Sequence, residues 1–60
     1  MADYKMGMSE EELLTYLDTN IEHWRQVQAG AAAEENEKFA RCYIDAFQSM
    51  RLAIFGHMKQ

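Results

Sequence analysis

The chain has 60 residues and contains no proline, one cysteine and three glycines that stand far apart from one another. A single cysteine excludes an internal disulfide, and a lone thiol without a secretion signal predicts a reducing, cytoplasmic setting. Isolated glycines exclude a glycine-rich phosphate loop. Because no apolar run approaches the ~20 residues that span a bilayer, we expect no membrane partner.

Positive charge is also scarce. Six Lys and Arg stand against ten Asp and Glu, which gives a formal net charge of −4. This balance disfavours a broad electrostatic grip on nucleic acid or anionic lipid. The hydrophobic fraction of 48% is nevertheless that of a folded chain. A chain this short buries only about 60% of the surface that its unfolded form exposes, so it needs further stabilisation. Disulfides, a bound metal or oligomerisation usually provide it. Since no internal disulfide can form and we expect no metal, oligomerisation is the expected source.

Apolar residues recur at spacings of three and four on both sides of Gly30. This spacing places them on one face of an α-helix. The first stripe contains Leu13, Leu17, Ile21 and Trp24, and the second contains Phe39, Tyr43, Phe47, Met50 and Ile54. The sequence therefore predicts an all-α fold, an αα-hairpin of two antiparallel helices.

Local signals predict where these helices begin and end. Ser9 and Glu12 have the spacing of a capping box, and Gly30 and Gly56 are expected to close the helices in the left-handed conformation. The predicted helices cover 10–28 and 32–55, the second beginning at Ala31 or Ala32, with Asn36 as a rival cap. The predicted organisation is a flexible arm over 1–8, a hairpin domain over 9–56 and a tail over 57–60.

The apolar arc of the second helix is unusually wide. With Ile44 and Phe55 included, it covers about 220° of the helix surface. One partner helix covers only about half of such an arc, so the remainder must meet another surface. We therefore predict a homodimer in which two hairpins form a four-helix bundle.

Residues that could bind a metal or take part in catalysis do not form a recognisable motif. His23 and His57 lack the spacing of a helical metal site, and Cys42 has no histidine close in sequence. The glutamates cluster in first helical turns, where the helix dipole favours negative charge. We therefore expect no metal, no cofactor and no enzymatic activity.

Two polar residues fall within or beside the apolar arcs and have two interpretations each. Asn20 either fixes the register of a bundle or lies hydrated at its edge. Arg51 either covers apolar surface with its stem while the guanidinium stays in water, or pairs with an acidic residue of a partner chain.

One flank of the second helix is the predicted partner-binding surface. Its residues combine aromatic and Met side chains with a central Arg, a composition typical of binding hot spots. They are Ile44, Phe47, Arg51, Phe55 and Met58. The flank is free for another protein if the hairpin core uses the Phe39–Met50 side; alternatively, the same flank is the dimer interface.

These features favour a small regulatory or adaptor protein that acts through helix-mediated protein–protein interaction. In size and layout, though not in any motif, the predicted dimer resembles the Rop-like RNA-binding hairpins, and this resemblance supplies the alternative function. RNA binding would need basic residues on one face. Here Arg25, Lys38, Arg41, Arg51 and Lys59 are dispersed, so nucleic acid is the less favoured partner.

Overall fold

The computed structural model describes residues 7–60, which form two helices joined by a short connection. Helix α1 runs over Glu10–Gly30 and helix α2 over Glu34–Phe55. The helices are antiparallel, since Gln28 near the connection contacts Glu37, whereas Asp18 farther back contacts Arg51. Over these residues the predicted αα-hairpin is confirmed. The arm predicted over 1–8 falls mostly outside the described part of the chain.

The start of α1 follows from its sequence as predicted. Ser9 Oγ accepts from the backbone amide of Glu12 at 3.1 Å, and Glu12 Oε1 accepts from the amide of Ser9 at 2.9 Å. The two bonds form a complete capping box, which satisfies two amides that the helix leaves unpaired. Three glutamates in the first turn add favourable charge at this end.

The connection differs from the prediction in three respects. Gly30 is the last residue of α1 and not a left-handed cap; Ala31 closes the helix in extended conformation instead, and its amide donates to Gln28. Helix α1 is therefore longer than 10–28. Helix α2 begins at Glu34, later than the preferred start and earlier than the Asn36 cap. Alanine carries no capping group, so Ala33 caps α2 through its backbone carbonyl alone.

Helix α2 ends at Phe55, and Gly56 caps it as predicted. Gly56 has φ +84°, and its amide donates to the carbonyl of Leu52 at 2.9 Å. A side chain is disfavoured at this backbone angle, which suits glycine. The left-handed residue turns the chain back, so that residues 57–60 lie against both helices.

The core between the helices is small. Among the described residues, the buried apolar side chains are those of Leu17, Ile21 and Ala40. Gln48 and Arg51 are buried beside them. The contact between α1 and α2 is therefore part apolar and part polar, and it uses the flank of α2 that carries Arg51.

Candidate protein-interaction surface

Arg51 connects three parts of the chain. Its Nε donates to Asp18 Oδ1 on α1 at 2.6 Å, and its Nη1 donates to the carbonyl of His57 at 2.9 Å. Nη1 also lies 2.8 Å from His57 Nδ1. A guanidinium can only donate, so the ring nitrogen is the acceptor in this contact. Arg51 is only 7% exposed, so it holds α1, α2 and the segment after Gly56 together from inside the fold.

Gln48 and Arg25 hold the rest of the C-terminal segment. The carboxamide of Gln48 donates to the carbonyl of Lys59 at 2.8 Å and accepts from its amide at 2.7 Å. Arg25 donates to the carbonyls of Lys59 and Gln60. We call this surface the closed face: Asp18, Arg25, Gln48 and Arg51, covered by residues 57–60.

The ion pair on the closed face changes the acidity of Asp18. The hydrogen bond from Arg51 lowers the pKa of the Asp18 carboxyl, although partial burial opposes that shift. Elsewhere on the hairpin, bonds from Gln28 and Arg41 lower the pKa of Glu37, and the capping box lowers that of Glu12. Asp18 differs from these two because its partner, Arg51, is buried.

A row of apolar side chains on α2 lies beside the flank that packs against α1. We call this surface the open face; it consists of Phe39, Tyr43, Ala46, Met50, Ala53 and Ile54, all of them exposed. Phe39 is the most exposed of its large side chains, at 65%. Scattered apolar residues are ordinary on a protein surface, but a contiguous row along one helix is typical of an interaction site.

Trp24 extends this apolar surface onto α1. Its ring stacks on Tyr43, with ring centroids 4.2 Å apart and planes inclined by 9°. Beside the stack lies a shallow hollow of about 530 Å³, lined by Trp24, Val27, Phe39 and Tyr43 among others. The apolar surface therefore continues from α2 across the edge of the hairpin to α1.

The residues predicted to bind a partner do not all lie on one accessible surface. Arg51 is buried, whereas Ile44, Phe47 and Phe55 are half-buried on the same flank of α2. Met58 is exposed. The flank was predicted to be free for a partner if the hairpin core used the Phe39–Met50 side of α2. The core does not use that side, because Phe39 and Met50 are exposed and the Arg51 flank packs against α1. Partner binding by these five residues stays a prediction.

The other polar candidates have local roles. Asn20 is half-buried and donates to the carbonyl of Tyr16, one turn back in α1. Arg51 does not leave its guanidinium in water, and its acidic partner is Asp18 of the same chain. Asp18 and Arg25 are not part of the first apolar stripe, and their polar contacts place them on the closed face.

The histidines and the cysteine are dispersed. His23 packs edge-on against Trp24, and Cys42 is an exposed free thiol. Within residues 7–60, no three His, Cys, Asp or Glu side chains come together as metal ligands. Over the same residues, neither helix has the length and apolar character required to cross a membrane.

Comparison with protein families, with curated proteins and with solved structures returned no significant match to this chain.

Proposed function

We propose that this chain is a small regulatory or adaptor protein without enzymatic activity, which self-associates and acts through helix-mediated protein–protein contact. The observation that carries this proposal is the open face, where Phe39, Tyr43, Met50 and Ile54 are exposed along one side of α2. Its aromatic and Met side chains are of the types enriched in protein interfaces. The exposed thiol of Cys42 favours a reducing compartment such as the cytoplasm.

The proposed first partner is a second copy of the chain, giving a four-helix bundle. Three buried apolar side chains form a small core for a domain of this length, and small domains commonly gain stability from association. The open face replaces the Arg51 flank as the proposed contact, because Arg51 already serves the hairpin itself.

The basic residues give no comparable support to RNA binding. Lys38 and Arg41 each pair with a glutamate one turn earlier on α2, whereas Arg25 bonds to the C-terminal segment. Tight binding to structured RNA that persists at about 200 mM salt would nevertheless favour this alternative.

Two matched substitutions on α2 test the proposal. Met50 on the open face and Leu52 on the far side of the helix have similar exposure, at 43% and 49%. We expect Met50→Asp to abolish the dimer, because it places an unpaired charge in an apolar interface, and Leu52→Asp to leave the dimer intact. Sedimentation equilibrium measures the mass, and circular dichroism checks that both variants remain helical.

Either of two results would contradict the proposal. The wild-type chain could be a monomer at micromolar concentration, with cooperative unfolding independent of concentration. Alternatively, Met50→Asp could remain as dimeric as Leu52→Asp, which would exclude the open face as the contact.

A further inference from the structure

The open face has the area and the residue pattern of a self-complementary interface. Its four large side chains on α2 are each about half exposed, and Ala46 and Ala53 are exposed between them. Large side chains present ~200 Å² each, so with the two alanines a symmetric pair of chains could bury about 900 Å² here. That area is close to the lower limit of about 1,000 Å² for a specific interface.

The spacing on the open face is that of a coiled-coil seam. Phe39, Tyr43, Ala46, Met50 and Ala53 follow one another at alternating intervals of four and three residues. This heptad period lets two helices remain in contact along their length. Ala46 lies at the centre of the row, and a small residue at that point allows the two backbones to approach closely.

We propose that the second copy packs α2 against α2 in antiparallel orientation, with the twofold axis at Ala46. This inference rests on the dimer of the proposed function and adds its orientation and register. In this packing, Phe39 lies over the partner's Ala53, and Tyr43 lies beside the partner's Met50. Each large side chain at the ends of the row therefore meets a small one. A parallel packing would instead place Phe39 against the partner's Phe39 and leave the two Ala53 residues facing each other across a gap.

Charge favours the same orientation. Glu34, Glu35 and Glu37 lie in the first turn of α2. A parallel dimer would gather these carboxylates from both chains at one end of the bundle. Antiparallel packing separates the two groups by about 30 Å, well beyond the Debye length of about 8 Å at physiological salt.

Single-cysteine variants test the orientation. In a Cys42→Ser background, Ala46→Cys should form a disulfide between chains, because position 46 meets its own copy at the axis. Ala53→Cys should not crosslink to itself, since the residues at position 53 of the two chains lie about 21 Å apart along the bundle. Disulfides require Cα atoms less than about 7 Å apart. Leu52→Cys, away from the open face, gives the background from random collision, and a mixture of Phe39→Cys with Ala53→Cys chains should crosslink above that background.

The outcomes separate the two proposals. Crosslinking of Ala53→Cys to itself would show a parallel dimer and overturn the orientation. A dimeric Cys42→Ser parent in which neither Ala46→Cys nor the Phe39→Cys and Ala53→Cys mixture crosslinks would overturn the register while the dimer stands. A monomeric parent in sedimentation would overturn the dimer itself, and this packing with it.

Discussion

The closed face and the open face both include residues of α2, but the α2 side chains in them differ in polarity and in burial. On the closed face, Gln48 and Arg51 are polar, buried and fully engaged by α1 and by residues 57–60. On the open face, the side chains are apolar and stay exposed, and Tyr43 does so even though Trp24 stacks on its ring. On α2, two of the three buried side chains are thus polar, whereas a row of apolar side chains is exposed.

This difference between the closed face and the open face indicates which of them can bind an additional partner. The polar groups of the closed face already have hydrogen-bond partners, and no buried side-chain nitrogen or oxygen of the described residues lacks one. Displacing residues 57–60 would leave Gln48 and Arg51 without several of these bonds, which is unfavourable for buried groups. Covering the open face would break no such bonds and would remove apolar surface from water.

Removal of Arg51 from the closed face should lower the stability of the hairpin more than any other single change proposed for it. We expect Arg51→Ala to lower the free energy of unfolding by about 2 kcal/mol, because it removes the hydrogen bonds that a buried guanidinium donates to Asp18 and to the carbonyl of His57. Its matched control is Arg41→Ala, which removes an exposed pair with Glu37 and should change the value far less. Urea denaturation at one fixed protein concentration measures both. Equal effects would show that burial of Arg51 adds nothing to its contribution.

Acid should weaken the closed face through Asp18. The pKa of this carboxyl is lower in the folded chain than its usual value of 3.8, so the ion pair stabilises the fold above that pH. The contribution is lost as the pH falls from about 4 through the folded-state pKa. We expect Asp18→Asn to lower stability at neutral pH and to flatten the dependence of stability on pH below about 4.

Urea denaturation over this pH range checks the prediction. Glu12 and Glu37 also have lowered pKa values, and they remain in both proteins. The difference between wild type and Asp18→Asn therefore isolates Asp18. Two curves that stay parallel at every pH would mean that the pair does not titrate as described.

Substitutions at two glycines should change stability least, and in opposite directions. Gly56 has a positive φ and leads the chain back to the closed face, so Gly56→Ala should lower stability by about 1 kcal/mol. Gly30 is helical, so Gly30→Ala should raise it by about 0.5 kcal/mol. Neither added Cβ meets an atom within 4 Å, so backbone conformation alone decides the sign. Thermal unfolding at equal concentration measures both, and a shift in the same direction would refute the distinction.

Periodicity and capping signals were sufficient to predict the two helices. Ser9 with Glu12 gives a start, and Gly56 gives an end, because each depends on local chemistry alone. The connection was harder to predict, since Ala31, Ala32 and Ala33 favour helix locally and the turn is imposed by packing between α1 and α2.

The choice of packing flank could not be predicted from apolar patterns. With about 220° of apolar arc on α2, two flanks compete for α1, and hydrophobicity alone favours the one without Gln48 and Arg51. The structure uses the polar flank because Asp18 on α1 and the backbone of residues 57–60 satisfy these groups. The available signal was an Asp on one predicted helix within reach of an Arg on the other.

The bonds between Gln48 and Lys59 have a consequence for how this sequence can vary. Gln48 contacts only the main-chain amide and carbonyl at position 59, and Arg25 likewise contacts main-chain carbonyls. The identity of the side chain at 59 therefore contributes nothing to these bonds, and substitutions can accumulate there while the segment keeps its place. Proline is the exception, because it lacks the amide hydrogen that Gln48 accepts.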